Sequence, residues 1–384
     1  MAEPVLSVSL DVSAVPERPA GAGRYTMDLA RELGGRDDLA LTLVARTADG
    51  GRWAGVAPRA TVLAAAPGPR PARLVWEQVA LPGLVGRARP PVGVHHGPHY
   101  TMPERARLPR VVTVHDLTFF DHPEWHERTK VWFFRRAIRV AAQRADAVVC
   151  VSAATAARLE ELLAPRAEVV TVPHGVDHTR FRPDGPGVDE HADAEALAVH
   201  GIGSPYVAFL GTVEPRKGLD VLLRAFDAVA DAHPGVRLVV AGASGWGAGP
   251  VDEELGRMRH RDRVVRTGYL PEAALPAFLR RAEVVAYPSR AEGFGLPVLE
   301  ALACGARVVT TSGSVMDDVA GPAAALVPPG DASALAAALD AELTDATAGR
   351  APRRQAGLAV AAAHTWARCA DAHMAVYRRV APAP

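Results

Sequence analysis

Along the chain, short apolar runs alternate with helix-length amphipathic stretches, and the alternation lapses once. In the first half VLSVSL (Val5 to Leu10), LALTLVA (Leu39 to Ala45), VGVH (Val92 to His95), VVTVHD (Val111 to Asp116), AVVCVS (Ala147 to Ser152) and EVVTVP (Glu168 to Pro173) read as strands. Between them RYTMDLAREL, EWHERTKVWFFRRAIRVAAQRA and AATAARLEELL read as helices. Near Pro173 the pattern changes: PHGVDHTRFRPDGPGVDEHADAEA is rich in Pro, Gly, His and Asp and reads as a linker. The alternation resumes with YVAFLG, GLDVLLRAFDAVADAH, VRLVVAG, VVRTG, LPEAALPAFLRRA, EVVAYPS, RVVTT, AAALVPPG and DASALAAALDAEL. Val-rich strands separated by helices predict buried parallel sheets covered on both faces. The expected architecture is α/β, with two doubly wound units at residues 1–175 and 176–384 and a cleft at the carboxyl ends of their strands. The final helical stretch, from about Ala351 to Val380, is assigned to the second unit and expected to pack across both.

Composition adds little to this picture. The chain of 384 residues carries 43 Lys+Arg against 43 Asp+Glu, so total charge does not point to nucleic acid. Its distribution is uneven: between Arg52 and Arg110 nine arginines stand against Glu77 and Glu104 alone. That stretch suits an anionic lipid or acceptor, or is a scattered solvated surface. RTKVWFFRRAIRV (Arg128 to Val140) also mixes basic and aromatic residues, but its place between two core strands favours burial of Trp132 and Phe133. The start, MAEPVLSVSLDVSAVP, lacks the features of a signal peptide, and no uncharged apolar run is long enough to span a bilayer. Cys150, Cys304 and Cys369 are far apart without metal-ligand spacing, and Cys150 and Cys304 read as buried free thiols. A cytoplasmic protein is expected.

The candidate chemistry falls just after strands. In ERPAGAGRYTMDLA, Gly21 and Gly23 form a turn into a helix starting near Arg24, suited to a phosphate or simply a loop. Thr26 stands where a dinucleotide fingerprint needs its third glycine, which disfavours a nicotinamide enzyme. In GTVEPRKGLDVLL, Arg216 and Lys217 sit at the start of a helix, where cations oppose the dipole but suit an anionic ligand. In EGFGLPVLEALACG, a glycine loop lies between Glu292 and Glu300, Pro297 fits a first helical turn and Gly305 a helix end. The loop amides suit a phosphate, and carboxylates at both sides suit hydroxyl pairs, of a ribose at Glu300 and a second sugar at Glu292. Two solvated acids at a helix start is the alternative. No Asp-x-Asp pair is present to hold a divalent metal at a pyrophosphate. His115 and Asp116 follow the VVTV strand, and VHHGPHY (Val94 to Tyr100) reads as a cleft-lining loop on the acceptor side.

Together the Glu292–Glu300 spacing, the RKG of GTVEPRKGLDVLL, the HGVD at His174 to Asp177 and the GRYTMDLA helix resemble the GT4-type retaining glycosyltransferases of the GT-B fold. The resemblance covers nearly the whole chain. VTVHDLTFFDHPEW and the ASGWG around Trp246 bring it nearest the mannosyltransferase-like, group 1 branch. It implies that Arg216 and Lys217 bind the donor diphosphate, that Glu300 binds ribose, and that Glu292 and His115 lie by the transferred sugar. Backbone N–H groups of Phe294, Gly295 and Leu296 would contact sugar and phosphate, and Gly268 and Tyr269 would hold the base. Gly21, Gly23, Gly211 and Thr212 complete the implied donor set. One departure stands out: Thr212 follows Gly211 where many relatives carry Arg, and Arg216 is the substitute. Arg24, His96, His99 and Asp116 are the acceptor-side candidates. The implied reaction is transfer of a hexose, mannose favoured, from a nucleotide-diphosphate sugar to a saccharide or lipid-linked acceptor, with no cofactor and no metal. Peripheral membrane contact through the basic first unit is an open partner expectation. A sugar-nucleotide epimerase or hydrolase, or a non-catalytic binding module, are the alternatives.

Overall fold

A computed structural model describes residues 5–245, 247, 249–344 and 350–382. Trp246 of the ASGWG motif lies outside them. The chain divides into two units: the first holds the residues up to Pro123, Glu127–Gly175 and the segment from Trp366 on, and the second holds Glu124–His126 and Val176–Thr365.

The first unit is built on a seven-stranded parallel sheet of β1 (Leu6–Asp11), β2 (Leu39–Arg46), β3 (Thr61–Ala66), β4 (Val94–Gly97), β5 (Arg110–Val114), β6 (Ala147–Cys150) and β7 (Glu168–Thr171), in the order β3-β2-β1-β4-β5-β6-β7. Strands β4 and β6 are buried along their whole length, as a sheet covered on both faces requires. TVLAAA, not among the strands expected from sequence, forms β3. It is an edge strand, half exposed, and its three alanines carry little strand propensity.

The second unit is a six-stranded parallel sheet of β8 (Tyr206–Leu210), β9 (Arg237–Ala241), β10 (Val264–Gly268), β11 (Val284–Tyr287), β12 (Val308–Thr311) and β13 (Ala324–Val327), ordered β10-β9-β8-β11-β12-β13. Each sheet reverses its strand order at one point, between β1 and β4 in the first and between β8 and β11 in the second. In open α/β sheets the crevice outside the carboxyl ends of the strands at such a reversal is where ligands bind.

Three expectations need correction. The stretch read as a linker contains a helix, Glu190–Ala198, whose Asp189 cap accepts from the His191 and Ala192 amides; Arg280 and Arg281 clamp its Asp193 at 2.8 and 2.9 Å. The final helical stretch is two helices, Arg350–Ala363 and Trp366–Val380, and the latter belongs to the first unit. Its Trp366, Ala370, Met374 and Tyr377 recur at helical spacing and join the core formed by Val8, Leu10, Tyr25 and Leu29. Trp132, expected to be buried, is 70% exposed, whereas Phe134 beside it packs inward. Among the described residues no helix is long and apolar enough to cross a membrane.

Candidate active site

The segments that follow β8 and β11 flank the strand-order reversal of the second sheet, and their side chains meet there. After β8 the chain passes Gly211 and Thr212 into a short turn, Pro215–Lys217, and then the helix Leu219–Val229. Gly218 joins turn to helix at φ 67°, and a Cβ there would lie 2.1 Å from the Pro288 carbonyl oxygen. Only glycine permits this approach, and it fixes Lys217 against the segment after β11. From the other side, Arg290 grips Asp220 through two bonds of 2.9 and 2.6 Å, and its amide donates to the Arg216 carbonyl at 2.7 Å.

Glu292 is the centre of the cluster. Its Oε2 accepts from Arg216 at 2.8 Å. Its Oε1 pairs with the Lys217 ammonium and accepts from Tyr287 Oη at 2.9 Å and Ser289 Oγ at 2.8 Å. Lys217 Nζ also donates to Tyr287 Oη at 2.7 Å, and Arg216 Nε lies 2.8 Å from Glu214. Two protein acceptors thus occupy two of the three ammonium hydrogens among the described residues, which leaves one for a ligand. Burial acts to raise the Glu292 carboxyl, but Arg216 and Lys217 overcome it and hold the group at about 2. Burial, with Arg216 adjacent, pushes Lys217 below its ordinary value, against the pull of Glu292. Burial, with Glu292 adjacent, raises the Tyr287 phenol well above its ordinary value, so it stays protonated and able to donate. Arg216 and Lys217 are thus balanced by Glu214 and Glu292, and what the cluster offers an anion is two directed cationic donors in a poorly solvated site, not a net charge.

Beyond Glu292 the chain turns through Phe294 and Gly295 into the helix Leu296–Ala303. Gly295 has φ 97°, and Pro297 occupies the first turn. Phe294 is buried with its ring against His364, and Glu300 is 2% exposed on this helix. The alternative reading of two solvated acids is excluded for both glutamates. Gly211 and Gly268 belong to a row of closely packed backbones: Gly211 N donates to Ala241 O at 2.9 Å, and Gly242 N donates to Gly268 O at 2.7 Å. A Cβ on Gly242 would lie 1.9 Å from Gly211 O. Tyr269, next along, is 38% exposed.

The first-unit candidates form a group of their own. Gly21, at φ 41°, opens the helix Ala22–Gly34 that carries Arg24, and a Cβ on Gly23 would meet Pro19 at 3.0 Å. Tyr25 on that helix sets its ring edge-on to His115 at 5.0 Å and to His174 at 4.8 Å. His115 donates from Nε2 to Pro98 O at 2.8 Å. His96 lies on β4 rather than in a loop, with both nitrogens engaged, by Tyr377 at 2.7 Å and Thr113 at 2.8 Å. Its ring is therefore committed to the core. Asp116 Oδ1 accepts from the Thr118 amide and hydroxyl, and His99 packs between Tyr100, His115 and Phe134.

Tyr287, Ser289 and Glu214 were not among the sequence candidates. Tyr287 and Ser289 stand two apart at the end of an apolar strand, a spacing that places both on one face, and the polar pair in EVVAYPS was the available signal.

A buried cluster of cations and carboxylates at the reversal of a parallel sheet lies where open α/β proteins bind their ligands, and comparison with known proteins names the class. Residues 204–345 match the family described as glycosyl transferases group 1, and residues 19–180 match glycosyltransferase family 4. The O-antigen chain mannosyltransferase B of Escherichia coli is 28% identical over 290 residues, 74% of each chain. The GDP-mannose-dependent alpha-(1-6)-phosphatidylinositol monomannoside mannosyltransferase of Mycolicibacterium smegmatis is 35% identical over 247 residues, 61% of this chain and 60% of that one. Anabaena HepE, solved in complex with UDP and glucose, superposes with a TM-score of 0.75 at 20% identity, over 97% of this chain and 99% of its own. The chain belongs to the GT4-type glycosyltransferases and has the GT-B fold.

Proposed function

We propose that the protein is a retaining hexosyltransferase that moves mannose from GDP-mannose to a saccharide or lipid-linked acceptor in the assembly of a cell-surface glycoconjugate. The observation that carries this reading is the Arg216–Lys217–Glu292 cluster at the strand-order reversal of the second sheet. Its two cations are held in place by Glu214, Glu292 and Tyr287, so little reorganisation remains when charge develops on a departing diphosphate. The donor's phosphates would take up the remaining Lys217 hydrogen and compete with Glu292 for Arg216. The first-turn amides of Leu296–Ala303 would meet the same phosphates, and Glu300 the ribose hydroxyls. In the transfer the acceptor hydroxyl oxygen bonds to the anomeric carbon as the bond from that carbon to the phosphate oxygen breaks. The departing phosphate takes the acceptor's proton, and same-face attack retains the configuration. We assign charge neutralisation to Arg216, Lys217 and backbone N–H groups, without a metal. The lean to mannose rests on the two mannosyltransferase relatives. We place the enzyme in the cytoplasm on the strength of Cys150, Cys304 and Cys369, all buried and free.

The test is nucleoside diphosphate release from a panel of nucleotide sugars, first without acceptor and then with simple glycosides or lipid-linked sugars. Slow release from GDP-mannose, accelerated by an acceptor and lost in Lys217→Ala, is the expected result. Fast consumption without acceptor would replace the reading by a hydrolase or epimerase. Preference for another donor would retire mannose.

A further inference from the structure

The turn Pro215–Lys217 sets two cations side by side at the entry to the helix Leu219–Val229, where the helix dipole opposes them. Each also repels the other. So short a turn has little of its own to resist this: its internal bonds are Lys217 N to Glu214 O at 3.0 Å and Gly218 N to Pro215 O at 3.4 Å. The turn is held from outside, by the segment after β11. The Arg216 carbonyl accepts from the Arg290 amide at 2.7 Å and from Ser289 Oγ at 3.0 Å. The Pro215 carbonyl accepts from the Arg290 guanidinium.

Arg290 thereby binds two consecutive carbonyls of the turn, one through its main chain and one through its side chain. The same guanidinium forks onto Asp220, in the first turn of the helix, at 2.9 and 2.6 Å. A planar fork fixes direction as well as distance, so the side chain spans the turn and the helix after it and sets the angle between them. Both partners are largely shielded, Arg290 at 27% and Asp220 at 18% exposure, which makes the pair firmer than a solvated one. Asp220 does not require it: the dipole favours a carboxylate in a first turn, and Arg224 lies 3.6 Å away, one turn on. Among the described residues the guanidinium bonds run to the turn and to Asp220, not to the carboxylate that the two cations share.

We propose that Arg290 is a positioning residue of the transfer reaction: it clamps the turn Pro215–Lys217 to the start of Leu219–Val229 and so aims Arg216 and Lys217 at the donor diphosphate. The inference rests on the transferase reading for its ligand, and adds a residue to which that reading gives no part. Removing the guanidinium leaves the residue 290 amide, Ser289 Oγ and the close approach of Gly218 to Pro288 in place, so the turn stays folded while its pitch is freed. Cations freed in this way lose much of their value, because a preorganised site works through donors already aimed when charge develops.

The experiment is a double-mutant cycle on the full chain: wild type, Arg290→Ala, Asp220→Asn and the two combined. Nucleoside diphosphate release is followed with kcat and KM separated, and melting curves are the control. Arg290→Ala should lower kcat by about tenfold to a hundredfold, the scale of a small misplacement of reacting groups, with a smaller change in KM. Asp220→Asn should lower kcat by less, and the combined variant should be no worse than Arg290→Ala, because both break one clamp. Arg290→Lys, a point charge that cannot fork Asp220 and reach Pro215 O together, should recover part of the loss. It also answers the question if Arg290→Ala does not fold, since a folded Arg290→Lys enzyme with the full wild-type kcat overturns the proposal. So does a folded Arg290→Ala enzyme within about threefold of the wild-type kcat, well short of the loss expected for a misplaced group. Losses that add across the cycle, or a rise in KM at unchanged kcat, overturn it in favour of Arg290 as a direct ligand of the donor. A wild-type chain that turns over no donor defeats the transferase reading separately. Titration of the same proteins with GDP and UDP then decides the clamp, and equal affinity in wild type and Arg290→Ala overturns it.

Discussion

Replacing Lys217 by Ala isolates what the buried cation contributes. Its ammonium is held by Glu292 and by Tyr287 Oη at 2.7 Å, which aims it without consuming all its hydrogens. The substitution removes one preorganised donor at the place where the leaving diphosphate gains charge, a loss of about 3–4 kcal/mol in the transition state, or about a hundredfold to a thousandfold in kcat. The fold should tolerate it better than the loss of most buried partners. Glu292 keeps Arg216 at 2.8 Å and Ser289 Oγ at 2.8 Å, so its carboxylate is not orphaned. The stability cost should therefore fall below the roughly 3–5 kcal/mol typical of stranding a buried charge. The assay is nucleoside diphosphate release under saturating donor, with KM measured in parallel and a melting curve as control. A folded Lys217→Ala enzyme within about threefold of the wild-type kcat would refute the reasoning, because a cation at the leaving group cannot be dispensable. A rise in KM alone would mean that Lys217 binds ground and transition states equally.

Tyr287→Phe should lower kcat by about tenfold, less than Lys217→Ala, because it removes the hydroxyl shared by Lys217 and Glu292 but leaves both charges. An unchanged kcat with a lowered melting point would show that the phenol only packs. Glu300→Gln should weaken nucleoside diphosphate binding by about tenfold, read by calorimetry; unchanged affinity would remove the ribose contact. Stability should fall with acid: burial holds His95 and His373 at about 4 and keeps them neutral in the fold. The unfolded chain takes up those protons below its ordinary value of about 6.5, so stability is lost as pH falls from there and the loss levels off below about 4. Each shift corresponds to about 3 kcal/mol. Melting temperatures flat between pH 7 and pH 5 would contradict this.

The parts of this molecule that could be read in sequence are those fixed by local chemistry. Val-rich runs such as VVTV and AVVC announce buried strands because no other element buries β-branched residues on both faces, and ten or so residues are enough to show it. Strand β3 escaped because an edge strand need not be apolar, and TVLAAA has no strong preference of its own. The last helix was assigned to the wrong unit for a different reason: Trp366 to Tyr377 show an amphipathic face but not which of two cores receives it. The same division governs the site. Arg216 and Lys217 drew attention because cations at a helix start are locally unfavourable, and Glu292 because a carboxylate borders a glycine turn. That the carboxylate would lie on the cations depends on β8 and β11 being neighbours, although more than seventy residues of chain separate them. Tyr287 and Ser289 gave only the weak signal of a polar pair at the end of an apolar strand, and their role shows once the β8 turn is laid beside them. Trp132 is the reverse case, in which the local pattern argued for burial and the packing of Phe134 instead of Trp132 decided otherwise. The misplaced last helix and the missed Tyr287 and Ser289 are failures of pairing, in which the counterpart lay far away along the chain.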